Sequence, residues 1–170
     1  MKFYKKIASI IILFLLNTTL AHSEEQIAYL DLDNIVSNTK VGKLIISNLE
    51  KSKKSALTKF EKKEKDLKKI EDDINKQKNI LSEEELKKKL VEFRKEINIF
   101  QTDRQNVINQ FNKKKVDEFN NFFKKITPII QSYVSEKNID IVLDRKNIFV
   151  ASKKKDITQE IIKLIDSKIK

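Results

Sequence analysis

A long stretch free of helix-breaking residues constrains this chain more than any other feature. From Lys43 to Thr127 there is neither glycine nor proline, and Gly42 and Pro128, the only residues of their kinds, lie just outside its ends. Because the residues that most weaken helix interiors are absent, the whole stretch can be helical. It is too long for one helix of a small domain and too polar for a core. We therefore predict two long amphipathic helices that fold back on each other and project from a small body. A protein of this shape is expected to act by enclosing a partner with its surface, and not through an active site.

Apolar residues along this stretch follow a seven-residue repeat, the signature of a coiled coil. Polar residues interrupt it at Lys63, Gln77 and Arg104, which predicts a pliable arm. We interpret the following residues as the seam between the two helices of one hairpin, and not as contacts with another molecule: Phe60, Leu67, Ile74, Leu90, Phe93, Ile97 and Phe100.

A helix-start signal places the reversal between the two helices. Ser82 is a typical N-cap, and Glu85 has the spacing of its reciprocal partner in a capping box. The first helix should therefore end near Asn79 and the second begin near Glu83, with the tip of the arm near residues 79–83. Further on, Pro128 predicts a kink.

Short β-rich runs lie on both sides of the helical stretch. We predict strands at Gln26–Asp33, Ile139–Asp144 and Asn147–Ala151, and the turn-forming residues between the last two indicate a hairpin. Asn138 should end the preceding helix in a left-handed conformation. A short C-terminal helix should follow, capped by Asp156 or Thr158. The predicted fold class is mainly α with a small β body (α+β).

The predicted domains are a body of residues 24–42 and 129–170 and a helical arm of residues 43–128. Two or three strands and one helix form a marginal core, which favours oligomerisation. We assign the following apolar residues to the body: Ile27, Tyr29, Leu30, Ile141, Leu143 and Phe149.

The first 23 residues have the order of a secretory signal peptide. Lysines in 1–6 precede an apolar run over 7–16, and Ala21-His22-Ser23 supplies a small-residue cleavage pattern. The run is shorter than the about 20 residues that span a membrane. We predict cleavage and export, and retention as a membrane anchor is the alternative.

Composition argues against an enzyme. The chain has no cysteine, and its single histidine, His22, belongs to the predicted signal peptide. The usual metal ligands, general base and thiol nucleophile are therefore missing from the mature chain, so we expect no catalytic residue, metal or cofactor. The net charge is +11, and a basic surface attracts nucleic acid, anionic lipid or acidic protein without choosing among them.

The order of these segments resembles the Skp/OmpH family of periplasmic chaperones for outer-membrane proteins. The resemblance rests on the Ile27–Asp31 strand, the Asn38–Lys43 segment, the lysine-rich hairpin, the Asn138–Asp144 strand and the Lys155–Thr158 segment. It implies a homotrimer whose strands build a small β-barrel body and whose helical hairpins enclose a cavity. Such proteins hold unfolded outer-membrane proteins in the periplasm without ATP.

Lysines near the arm tip are candidate contacts with clients, anionic lipid or lipopolysaccharide, although such runs are more often solvated helix faces. They are Lys68, Lys69, Lys76, Lys78, Lys87, Lys88 and Lys89. Two other functions stay open at this stage. One is a basic nucleic-acid-binding protein, against which export argues, and the other is a membrane-anchored or periplasmic coiled-coil spacer.

Overall fold

The computed structural model describes residues 25–169 and shows a mostly helical chain with a small two-stranded sheet, in agreement with the predicted α+β class. The predicted signal peptide of residues 1–23 lies outside the described residues. Two short 3-10 turns, Arg145–Asn147 and Lys153–Lys155, precede the last helix. The main elements in chain order are β1 (Ile27–Leu30), α1 (Leu32–Asn38), α2 (Lys40–Gln77), α3 (Glu83–Glu136), β2 (Ile141–Asp144) and α4 (Thr158–Lys168).

Helices α2 and α3 form an antiparallel hairpin, called the arm below. At 1.5 Å per residue they are about 57 Å and about 81 Å long. Contacts join Gln77 to Lys89 near the tip and Ser52 to Lys114 near the body, which fixes the antiparallel direction. The predicted capping box begins α3: the Glu85 N–H donates to the Ser82 hydroxyl, and the Glu85 carboxylate accepts the Ser82 N–H at 3.0 Å.

Gly42 lies inside α2, so this helix begins earlier than the glycine-free stretch. The Gly42 N–H donates to the hydroxyl of Thr39, the N-cap, at 3.2 Å. A Cβ at Gly42 would lie 1.9 Å from the carbonyl oxygen of Val36 in α1. Only glycine permits this close approach of the two helices.

The second long helix, α3, continues through Pro128 and ends at Glu136, close to the end predicted at Asn138. Proline removes one backbone donor from the helix. In the same turn, the Thr127 hydroxyl donates to the Phe123 carbonyl at 2.7 Å. Asn138 follows the helix with a φ of 53°, which confirms the predicted left-handed residue.

The sheet pairs β1 with β2 in parallel, with Ile27 opposite Ile141. The predicted strand over Gln26–Asp33 is wrong beyond Leu30, because the Asp31 carboxylate accepts the Asn34 N–H at 2.8 Å and caps α1. The predicted strand Asn147–Ala151 and its hairpin are also wrong for a single chain. A 3-10 turn follows β2 directly, and the sheet in the described residues consists of β1 and β2.

The body core forms where α1, α4 and the end of α3 pack on β1. Its most buried side chains are Ile35, Phe122, Ile126, Ile161 and Ile165. The predicted cap of the last helix is wrong in detail, because its N-cap is Ile157. The Asp156 carboxylate nevertheless accepts the Thr158 N–H at 2.9 Å, and the Thr158 hydroxyl accepts the Asp31 N–H at 2.9 Å.

Candidate functional site

The interior of the arm contains the residues that the heptad pattern places in its seam. Leu67, Ile74 and Phe100 are buried, and Phe60 meets Phe100 edge to face with ring centroids 6.1 Å apart. Phe93 and Ile97 are half-buried, whereas Leu90 is exposed. The two helices of the arm are therefore held together by a narrow apolar seam of aromatic and branched aliphatic side chains.

The polar residues that interrupt the seam are paired across the arm. Lys63 donates to Glu96 at 2.6 Å, and this hydrogen bond lowers the pKa of the Glu96 carboxyl. Lys89 donates to the Gln77 side chain at 2.6 Å. Arg104 lies over the Phe60 ring at 5.9 Å and reaches a Glu64 carboxylate oxygen at 3.5 Å. The interruptions replace apolar contacts with cross-helix polar ones and so help to fix the register of the hairpin.

The predicted tip lysines are partly neutralised by their neighbours. Three of them lie within 4.0 Å of an aspartate one turn away: Lys68 with Asp72, Lys69 with Asp66 and Lys76 with Asp73. Over residues 66–92 the sequence has seven lysines against eight Asp and Glu residues, a net charge of −1.

The candidate lysines near the tip therefore do not make residues 66–92 a basic segment. Lys78, Lys87 and Lys88 are exposed and make no ion pair within the described residues. Those three remain available to a ligand at the tip, against a local background that is weakly acidic.

Apolar side chains also lie exposed along the arm, and among them are Ile70, Val91 and Ile99. A groove of about 790 Å³ between the helices near the tip is lined by Ile70, Ile74, Phe93 and Ile99 together with charged residues. Val91 extends this surface along α3, and Ile80 is 83% exposed in the turn. These residues are dispersed over the arm and do not form one deep pocket. They are suited to many weak contacts.

The body has a second exposed apolar surface, beside the sheet. Ile27, Ile141 and Leu143 are exposed, and Phe149 and Val150 are 99% and 78% exposed. Ile27, Leu143 and Val150 line a groove of about 530 Å³. Within the described chain, no strand pairs with the outer edge of β2. We call the five residues the body patch.

The other two predicted body residues serve the core of the chain itself. Tyr29 and Leu30 are buried, and the Tyr29 carbonyl accepts the Ile157 N–H at 3.0 Å. The guanidinium of Arg145 lies 6.0 Å from the Tyr29 ring centroid. These two residues stabilise one chain and are not available to a partner.

Residues 25–169 contain no cluster of three or more Asp, Glu, His or Cys residues placed to hold a metal ion. Among the helices described, none has the length and apolar character to cross a membrane. The surfaces that the structure offers are therefore the arm and the body patch.

Comparison with known proteins connects this shape to one family. The family profile "Outer membrane protein (OmpH-like)" matches residues 26–165. A crystal structure of an OmpH-like protein from Caulobacter crescentus CB15, a candidate outer membrane chaperone, superposes with a TM-score of 0.78. The two sequences are 15% identical, and the match covers 90% of each chain. No curated protein sequence matches. At this identity the likeness shows a shared fold.

Proposed function

Because the chain belongs to the OmpH-like family, we propose that it is a periplasmic holdase chaperone. It would bind unfolded outer-membrane β-barrel proteins in a cavity between arms and prevent their aggregation, without ATP, before membrane insertion. The observation that carries the proposal is the arm itself. Two helices project away from the body and expose dispersed apolar side chains, among them Ile70, Val91 and Ile99.

The chemistry of the client favours such a surface. An unfolded β-barrel protein exposes alternating apolar residues that aggregate by strand pairing. Many weak contacts can hold such a chain with high total affinity, because each contact exchanges while the others persist. This mode of action needs no catalytic residue and no cofactor.

We further propose that three copies assemble through the body patch. Phe149 and Val150 make little contact with their own chain, and an exposed apolar patch of this kind commonly marks an interaction site. Val150 lines a groove together with Leu143 of β2, and the outer edge of β2 can accept a strand from another copy. A strand over 147–151 would then form only in the assembly.

Localisation follows from the proposed signal peptide of residues 1–23. Sequencing the N-terminus of the protein recovered from cells tests this directly. A mature chain that begins between residues 22 and 24 supports export with cleavage. A chain that retains residues 1–21 favours the membrane-anchored spacer.

Contact of the tip with anionic lipid or lipopolysaccharide is a separate proposal, carried by Lys78, Lys87 and Lys88. Their exposure supports it. Vesicles that contain about one-third anionic lipid should bind the wild type and lose binding after the three lysines are changed to glutamine. Unchanged vesicle binding would remove this role.

The chaperone proposal is tested by diluting a urea-unfolded β-barrel protein into buffer that contains the mature chain and no nucleotide. We expect light scattering to be suppressed, and to saturate at about three chains per client. Aggregation at the rate of the client alone would refute the proposal. An equal mass of a soluble helical protein serves as the control.

A further inference from the structure

Two segments in the half of the arm nearer the body contain basic residues and no acid between their ends. Residues 51–60 of α2 contain four lysines and no Asp or Glu. Residues 104–116 of α3 contain one arginine and three lysines, again with no Asp or Glu. We call these two segments together the proximal belt. They contrast with residues 66–92, where acids outnumber lysines.

The two segments of the belt lie at the same level of the arm. Lys114 Nζ reaches the Ser52 hydroxyl at 3.4 Å at one end. At the other end the Arg104 guanidinium lies 5.9 Å from the centre of the Phe60 ring. The fold therefore joins two basic segments that are far apart in sequence, which no single stretch of the chain reveals.

Few of these basic residues are held in an ion pair. Arg104 pairs with Glu64, but the other seven basic residues make no ion pair within the described residues, and all seven are exposed. They are Lys51, Lys53, Lys54, Lys59, Lys113, Lys114 and Lys115. Because they are spread over one short length of the arm, their fields add, and they repel one another. An anionic partner relieves this repulsion.

The belt also has an apolar floor. A groove of about 460 Å³ is lined by Ser52, Ser55, Ala56, Phe60 and Val107, with Lys51 and Lys59 on its rim. The small side chains of α2 at this level leave the groove open. It offers space for one or two apolar side chains directly beside the lysines.

We propose that the proximal belt binds acidic segments of an unfolded polypeptide. The lysines pair with carboxylates, and the groove accepts apolar side chains that follow them in the client. The inference rests on the proposed chaperone function and names the client chemistry that this part of the arm selects. Anionic clients are attracted to the root of the arm first, and the dispersed apolar residues then hold them.

The charge distribution favours a flexible chain over a membrane surface as the occupant. A flat anionic bilayer along the arm would also face residues 66–92, whose net charge is −1. An unfolded polypeptide can reach the belt without approaching that region. In an unfolded polypeptide, aspartates and glutamates are interspersed with apolar residues. The belt matches this pattern, because its lysines lie beside an apolar groove.

Two variants with equal charge loss test the belt against the tip. The belt variant carries Lys51→Gln, Lys59→Gln and Lys114→Gln. The tip control carries Lys78→Gln, Lys87→Gln and Lys88→Gln. All six positions are exposed on helices or at the turn, and glutamine is a good helix former, so both variants should keep the wild-type circular dichroism.

Binding is measured with fluorescently labelled poly-L-glutamate at low salt and with phosphatidylglycerol vesicles. We expect the belt variant to bind poly-L-glutamate about tenfold more weakly, which is about 0.5 kcal/mol for each lost pairing. The tip control should lose less than about twofold, and raising salt to about 0.5 M should abolish the difference. Equal losses in the two variants would overturn the proposal. So would a belt variant that loses vesicle binding but keeps poly-L-glutamate binding.

The same proteins separate failure of the belt from failure of the chaperone proposal. If the wild type does not suppress client aggregation, the chaperone proposal fails whatever poly-L-glutamate shows. If the wild type suppresses aggregation but both variants bind poly-L-glutamate equally well, the belt alone fails. A β-barrel client with its acidic residues changed to Asn and Gln should be held by the wild type and the belt variant alike.

Discussion

Substitution of Phe149 by alanine tests whether this side chain packs between copies of the chain or within one chain. The Phe149 side chain is 99% exposed, so in a single chain it contributes almost no packing. Phe149→Ala should therefore change the stability of an isolated chain by no more than about 0.5 kcal/mol, as for other surface substitutions. In an assembly that buries this ring, the same substitution removes a large apolar contact.

The expected size of the effect follows from burial of one ring at each interface. Burying a phenylalanine contributes about 2 kcal/mol. A closed ring of three copies has three interfaces, so Phe149→Ala should weaken the trimer by about 6 kcal/mol. At 1.4 kcal/mol per factor of ten, this is about a 10⁴-fold fall in the overall association constant.

Sedimentation equilibrium over a range of protein concentrations measures this constant. Ile80→Ala is the matched control, because Ile80 is 83% exposed at the tip, far from the body. We expect the wild type and the Ile80 variant to show the same association, and the Phe149 variant to dissociate at concentrations where they do not. Association unchanged by Phe149→Ala would refute assignment of this residue to the interface.

Other predictions concern the fold and the arm. Gly42→Ala should lower the free energy of unfolding in urea by about 2–3 kcal/mol, because the added Cβ would lie 1.9 Å from a carbonyl oxygen. Helix propensity alone predicts the opposite, an increase in stability of about 1 kcal/mol. Ser82→Ala should destabilise the tip by about 1 kcal/mol through loss of the cap, seen as faster amide exchange confined to the turn. The hydrogen bond from Ser82 lowers the pKa of Glu85 below its usual 4.5. The stabilising effect of the Glu85 carboxylate is therefore complete above pH 4.5 and is lost as pH falls through the lowered pKa. NMR shifts at the start of α3 should report this fraying, and shifts that stay constant on acidification would contradict it. Amides of 50–66 and 101–121, where no side chain is buried, should exchange faster than those around Leu67, and uniform protection along the arm would contradict this.

The arm could be predicted from the sequence because its signals are local. The absence of glycine and proline, the heptad seam and the capping box of Ser82 and Glu85 act within a few residues of each other. The left-handed Asn138 is a local signal of the same kind. Such features form wherever the chain is placed, and the structure contains each of them.

The body was harder to predict because its elements depend on distant partners. The apolar run over 26–33 has the composition of one strand, but Asp31 interrupts it and caps α1. The end of α1 then packs closely against Gly42 of α2. Residues 147–151 have strand composition, but a strand needs a neighbour, and one chain provides none at that place. The proximal belt depends on the alignment of two segments that are more than about 40 residues apart in sequence, and the register of the hairpin sets this alignment.

Sedimentation velocity shows directly whether the mature chain holds an unfolded client, when the chain is mixed with a β-barrel protein diluted from urea. We expect one soluble species that contains three chains and one client, formed without nucleotide, in which circular dichroism shows the client still unfolded. This expectation is contradicted if the client pellets while the chain sediments as it does alone.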